Sequence, residues 1–229
     1  MVENLVRSLL EFPEVKQVVV TRNIPEPLCL GDDSRVSVVD NPGPKGFGAN
    51  HNAAFRRCDQ PTFCVLNPDI SFVDNPFPRL LAVMKETGAA LVAPLVKAPG
   101  GGVEDSTRYF PTLVSLATKV FGGADGRRLA AGGQAIFYPD WVAGMFMLFR
   151  SLDFGHLGGF DEEFFLYYED VDICIRAWKR GMKVAACTDV GIIHDARRDS
   201  RRNFRHLRLH LASVARYFWK HCGRLPRVA

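Results

Sequence analysis

No apolar run in the 229 residues approaches the roughly 20 that a membrane-crossing helix requires. The chain does not open on a charged-then-apolar leader, so a secreted product is not expected. Repeats and low-complexity tracts are missing too, which argues against a solenoid and against a disordered chain. The six cysteines (Cys29, Cys58, Cys64, Cys174, Cys187 and Cys222) include no CxxC pair, and several sit inside apolar runs. That pattern speaks for reduced, mostly buried thiols in a cytosolic protein rather than for a disulfide framework. What is present is a 47% hydrophobic composition, enough for one sizeable core.

The net charge of +4 says little, but its distribution says more. Arg197, Arg198, Arg201, Arg202, Arg205 and Arg208 fall together with His206. Such a surface suits phosphates, anionic lipid or nucleic acid, or is a plain solvated helix face. Phe204 is the only aromatic interleaved there, so a base-stacking platform is not expected.

Val2 to Phe12 reads as an amphipathic helix, with Leu5, Leu9 and Leu10 near helical spacing. Val18 to Val20 and Arg35 to Val39 read as strands, followed by a turn rich in glycine (Gly43, Gly46, Gly48) and a helix over Asn50 to Arg57. Thr62 to Leu66 is a strand, Pro78 to Glu86 a helix and Ala89 to Val96 a strand. Residues 97–140 break this rhythm with APGGGVEDS, FGGADGRR and AGGQ, which predicts a functional or mobile segment. Trp141 to Arg150 then reads as a strand, Glu169 to Arg180 as a helix and Val184 to Ile193 as a strand delivering His194. A helix over Asn203 to His221, with Leu207, Leu211, Val214 and Phe218 on one face, closes the chain. Alternating strands and helices predict an α/β fold with a mostly parallel sheet covered on both faces. Ligands of such folds lie beyond the carboxyl ends of the strands.

Four stretches near such ends carry chemistry. GGFDEEFFLYYEDVDICIRAWKRG, Gly158 to Gly181, sets six carboxylates among six aromatics. Val171, Cys174, Ile175 and Trp178 form a buried stripe, Asp172 and Arg176 pair at i, i+4, and Gly181 follows the helix end. Glu169 and Asp170 then open the helix, where capping and dipole effects account for one acid or two. The aromatics Phe164, Phe165, Tyr167 and Tyr168 are expected to desolvate a carboxylate and raise its basicity, as a general base for a sugar hydroxyl requires. LNPD ends in Asp69 just past a strand, and GIIHD places His194 just past another; each alone fits an ordinary turn or a structural histidine. Together they suit a shared divalent ion. NPGPKGFGANHN, Asn41 to Asn52, lets backbone approach a ligand, but matches neither the dinucleotide GxGxxG register nor a Walker A loop.

In order and spacing these motifs resemble the family 2 glycosyltransferases, nearest to their bacterial rhamnosyltransferase-like branch, over roughly Val2 to Asn203. The run GGFDEEFFLYYEDVDICIR carries most of that likeness. The resemblance implies a GT-A fold, a Rossmann-like sheet in one domain over 1–229. Residues 1–96 would be its nucleotide-sugar half, 97–140 a mobile acceptor-side segment, 141–202 the catalytic half and 203–229 a C-terminal helix. It implies inverting transfer of a sugar, rhamnose among the candidates, from a nucleotide-diphosphate donor to a hydroxyl of a glycan or lipid-linked acceptor in cell-surface polysaccharide synthesis. By position, Asp170 stands for the catalytic base, paired with Glu169. Asp69 and His194 stand for the ligands of Mg or Mn. Gly46, Asn52, Asn67, Asp69 and Gly144 stand for contacts to the nucleotide sugar. The setting implied is cytoplasmic, with peripheral contact to anionic membrane at the inner face of the plasma membrane and no nucleic acid partner; oligomeric state is left open.

The chain departs from the family pattern in two places. Family members open on a strand, whereas this chain starts at what resembles the following helix, so the sheet is expected to show an open edge or a gap. The acid after the next strand is replaced by Thr21-Arg22-Asn23. These departures motivate an alternative: a non-catalytic relic that binds sugar nucleotides, or an assembly subunit. The arginine-rich tail motivates another, a module for nucleic acid or membrane surfaces.

Overall fold

The computed structural model describes residues 1–120, 122–123, 126–195, 204–221 and 223–228. Arg197, Arg198, Arg201 and Arg202 of the basic tail lie outside the described residues.

Helix α1 (Val2–Leu10) buries Leu5, Val6 and Leu9. Strands β1 (Val18–Arg22) and β2 (Val36–Asp40) follow and pair in parallel, Val18 opposite Val36. Helix α2 (Phe47–Phe55) starts three residues earlier than the glycine-rich turn suggested. The reason is that Gly48 is a packing glycine within the helix: a Cβ there would come 2.7 Å from the Phe160 Cβ. Strand β3 (Thr62–Leu66) is followed by β4 (Ile70–Phe72), too short to signal itself. Helix α3 (Phe77–Thr87) ends at Gly88, whose φ of 69° makes the left-handed cap, and strand β5 (Leu91–Lys97) follows.

The segment 97–140 holds elements of its own: β6 (Thr107–Arg108), α4 (Leu113–Val120) and β7 (Ile136–Phe137). The single strand expected over Trp141 to Arg150 is two, β8 (Trp141–Val142) and β9 (Phe146–Arg150), because the chain turns through Gly144 to change partners. Strand β8 pairs with β6, and β9 with β3 and β5. Then come α5 (Ser151–His156), α6 (Glu169–Lys179), β10 (Val184–His194) and α7 (Phe204–His221).

The large sheet runs β3-β9-β5-β10-β4, with β7 beside β10. Strands β5 and β10 are parallel, and β9 is antiparallel to both β3 and β5, so β3, β5 and β10 share one direction. The short strands β4 and β7 run against β10. Side chains alternate across this sheet: Leu91, Ala93, Met147 and Phe149 enter one core, Val92, Val96, Phe146 and Leu148 the other. Both faces are covered, which is why these strands read as unbroken apolar runs. One core takes α2, α5, α6 and Tyr217 of α7; the other takes α1 and α3.

The expected gap is present. Among the described residues, strand β1 pairs only with β2, and β3 only with β9, so each leaves one edge without a strand partner. Between those edges lies a slot of about 620 Å³, lined by Val18 and Val20 of β1, Phe63 and Cys64 of β3, Leu5 of α1 and Ala54 of α2.

One expectation for α7 needs correcting. The apolar face expected of the helix is covered only in part: Val214 and Phe218 are half-buried, while Leu207 and Leu211 are exposed along with Phe204. The helix docks through Ser213, Tyr217 and His221, with Phe218 partly buried against the same core. The five described cysteines are free, with Cys174 and Cys187 buried. Among the described residues no helix is long and apolar enough to cross a membrane.

Candidate active site

The shared direction of β3, β5 and β10 brings their carboxyl ends to one edge. Just beyond β3, Asn67 accepts from the Ile70 amide in a turn at 3.4 Å, and its own amide donates to the Met145 carbonyl at 3.1 Å. The turn leads into β4, whose Ile70 stands opposite His194 at the end of β10. Asp69 is thereby set beside His194, with Oδ1 3.3 Å from Nε2. Beyond β5 the chain doubles back, Lys97 bridging to Val103, and delivers Glu104, whose Oε2 lies 3.1 Å from His194 Nδ1. The Asp69 carboxylate raises His194 above the ordinary imidazole range; Glu104 adds to this and partial burial opposes it.

At the same edge, the turn between β8 and β9 meets the start of α6. The Gly144 amide donates to Asp170 Oδ2 at 3.0 Å, and the Val171 amide donates to Oδ1 at 2.8 Å. Burial raises the Asp170 carboxyl above its ordinary range, against the pull of those two amides. Glu169 is only 5% exposed, and its Oε2 is buried without a hydrogen-bond partner. Burial, followed by the neighbouring Asp170 charge, pushes Glu169 up to about 8. Two adjacent carboxyls in a poorly solvated place do not both ionise readily, so the pair holds a proton near neutral pH.

Of the remaining expected contacts, Asn52 is occupied from within. Gly46 caps α2 and packs against backbone, a Cβ there meeting the Phe165 carbonyl oxygen at 2.5 Å. Asn52 is buried, donates to the Phe160 carbonyl at 2.9 Å and accepts from the Phe160 amide at 2.8 Å. Asn52 therefore spends its side chain on the loop before α6, and Gly46 lets that loop pack closely. Gly144 leaves room for Asp170 and for the Phe47 ring, which a Cβ at this position would meet at 3.2 Å. In Thr21-Arg22-Asn23, where the family acid is replaced, Asn23 Oδ1 accepts from the Asn41 side-chain Nδ2 at 2.8 Å, and Arg22 pairs with Asp40.

Nor do the four aromatics form one wall. Phe164 is fully buried beneath Arg216 and Lys220, Phe165 is exposed, and Tyr168 stacks on Tyr217 with centroids 5.0 Å apart. Phe164, Tyr167 and Tyr168 anchor α7 to the loop, and Glu169 is buried beside them. Tyr167 and Tyr168 reach this arrangement with φ of 71° and 68°, a strained conformation for side-chain-bearing residues. Asp172 does pair with Arg176, at 2.7 Å, but it is fully buried and also meets Lys220 at 2.6 Å and His221 at 2.8 Å. Its role is to tie α6 to α7. Glu104 had no sequence signal beyond the glycines before it.

A divalent ion fits the Asp69 and His194 end of the site. Asp69 Oδ1 is buried and makes no hydrogen bond, and an imidazole nitrogen stands beside it. Among the described residues no group of three or more His, Cys, Asp or Glu side chains is arranged to hold a metal by itself. A carboxylate with one imidazole suits an ion that completes its shell with diphosphate oxygens and water.

The comparisons with known proteins agree with this architecture. Glycosyl transferase family 2 matches residues 20–152. The chain is 31% identical over 188 residues to the rhamnosyltransferase WbbL of Escherichia coli K12, covering 76% of this chain and 70% of that protein. It is 31% identical over 139 residues to N-acetylglucosaminyl-diphospho-decaprenol L-rhamnosyltransferase of Mycobacterium tuberculosis, covering 57% of this chain but only 45% of that one. Among solved structures, GalNAc-T7 with UDP, GalNAc and Mn²⁺ superposes with a TM-score of 0.62 at 13% identity, over 81% of this chain and 38% of that one. The mannosyltransferase PcManGT of Pyrobaculum calidifontis, with GDP-Man and Mn²⁺, gives 0.59 at 15% identity, over 94% and 60%. The chain belongs to glycosyl transferase family 2 and has the α/β GT-A fold of those glycosyltransferases.

Proposed function

We propose that the chain moves a sugar, rhamnose by its similarity to the two rhamnosyltransferases, from a nucleotide diphosphate to a hydroxyl of a glycan or lipid-linked acceptor, with inversion at the sugar. The observation that carries this reading is the Asp170 carboxylate. Two backbone amides fix it beside buried Glu169, at the same sheet edge as Asp69 and His194. Each carboxylate oxygen has a second lone pair free of those amides, so Asp170 is placed to take the proton of an acceptor hydroxyl as that oxygen attacks the sugar. Its raised basicity suits that step, and the two amides rather than Glu169 fix which carboxylate faces the acceptor. Asp69 and His194 would hold the divalent ion, Mg or Mn, which offsets the charge gathering on the departing diphosphate. Residues 97–140 would cover the acceptor side.

The test is transfer and hydrolysis across UDP-, GDP- and dTDP-sugars, with and without Mn²⁺, in the unaltered chain and in Asp170→Asn. Transfer is expected to fall by at least about a hundredfold while donor binding stays close to normal. Because both Asp170 oxygens accept from amides, the Asn amide group faces one N–H, and a stability loss of about 1–3 kcal/mol accompanies the change. Rates are therefore compared well below both melting temperatures. Near-normal transfer in Asp170→Asn with loss in Glu169→Gln would move the base to Glu169. Donor binding with no turnover of any sugar would favour the non-catalytic relic.

A further inference from the structure

We infer that Glu104 is the positioning residue of this site: it holds His194 Nδ1 so that Nε2 is presented to Asp69 and to a divalent ion between them. The inference rests on Asp69 and His194 being the ligands.

The local chain is built to bring Glu104 back. After β5, Gly101 takes a φ of 84°, the Gly101 amide donates to the Ala98 carbonyl at 2.9 Å, and the Ala98 amide donates to the Gly102 carbonyl at 2.8 Å. The Glu104 amide then donates to the Val96 carbonyl at 2.8 Å, fastening the returning strand to β5. Since β5 is paired with β10, with Lys97 opposite Ile193, the returned residue arrives beside His194. Its side chain is 16% exposed and that of His194 10%, so water competes weakly for their contact.

A neutral imidazole carries one N–H and one lone pair. With Nδ1–H donated to Glu104, the lone pair belongs to Nε2, the nitrogen facing Asp69. A carboxylate behind a metal-ligating histidine fixes the tautomer and the ring plane, and loss of such a partner weakens metal affinity about 10–100-fold.

Mn²⁺ binding to the purified chain, without nucleotide, separates the roles. Free Mn²⁺ is read by its electron paramagnetic resonance signal, and folding is checked by melting temperature. Asp69→Ala is expected to abolish saturable binding, and Glu104→Ala to weaken it about 10–100-fold. Glu104→Gln, whose amide oxygen still accepts from Nδ1–H, is expected to bind close to the unaltered chain. If Glu104→Gln is as weak as Glu104→Ala, Glu104 is itself a ligand and the positioning role is overturned. If Asp69→Ala loses Mn²⁺ while Glu104→Ala binds normally, positioning alone falls. If Asp69→Ala binds normally, the ligand assignment falls and this inference with it.

Discussion

At the scale of single residues, Asp172 separates structure from catalysis within one acidic run. It is fully buried among Arg176, Lys220 and His221, and the His221 hydrogen bond with the Arg176 and Lys220 charges holds its carboxyl well below the ordinary range despite burial. Replacing it by Asn leaves charges at the α6–α7 contact without their partner, and a loss of about 3 kcal/mol in urea unfolding is expected. The pH sign follows from the depressed value. Asp172 contributes fully above the unfolded carboxylate range, near 3.9, and its contribution is lost as pH falls from there toward the folded value. The Asp172→Asn chain should therefore show a flatter loss of stability below about pH 4. An unchanged acid limb would remove Asp172 from this role. The Arg176 partner was legible in the sequence because i, i+4 is local helix geometry. Lys220 and His221 were not, since they arrive only when α7 folds back. Glu104 was hidden for the same reason: its neighbour His194 stands 90 residues away.

At the scale of elements, legibility followed burial. Strands β3, β5, β9 and β10 pass between two cores, and their apolar runs announce them. Helix α2 was misplaced because Gly48 signals a turn, while its true constraint is the Phe160 side chain. For α7, spacing alone could not say which apolar positions find a partner. Phe204, Leu207 and Leu211, at i, i+3 and i+7, are 84%, 53% and 58% exposed. The proposed membrane contact belongs here. An exposed apolar stripe beside Arg208, in an arginine-rich segment, fits the boundary of an anionic bilayer. Sedimentation with anionic vesicles is expected at low salt, weakening as salt rises. Leu207→Asp should reduce it even at low salt. Equal binding to neutral vesicles would reject the electrostatic part, and an unaffected Leu207→Asp the apolar part.

At the scale of the molecule, the functional edge follows from strand direction: three codirectional strands deliver Asp69, Glu104 and His194, and the start of β9 adds Gly144 under Asp170. The slot between β1 and β3 has a different consequence, for cooperativity. Among the described residues no ladder of hydrogen bonds crosses it, so β1 and β2 are joined to the large sheet through side chains and the polypeptide alone. Regions held this way open on their own, with a free energy below that of global unfolding. Native-state hydrogen exchange should therefore report two cooperative units. Amides paired between β1 and β2 would exchange through a partial opening that denaturant affects only weakly. Amides paired between β5 and β10 would exchange only when the whole chain unfolds. A single common opening energy for both sets would mean that packing across the slot couples them as firmly as a shared strand would.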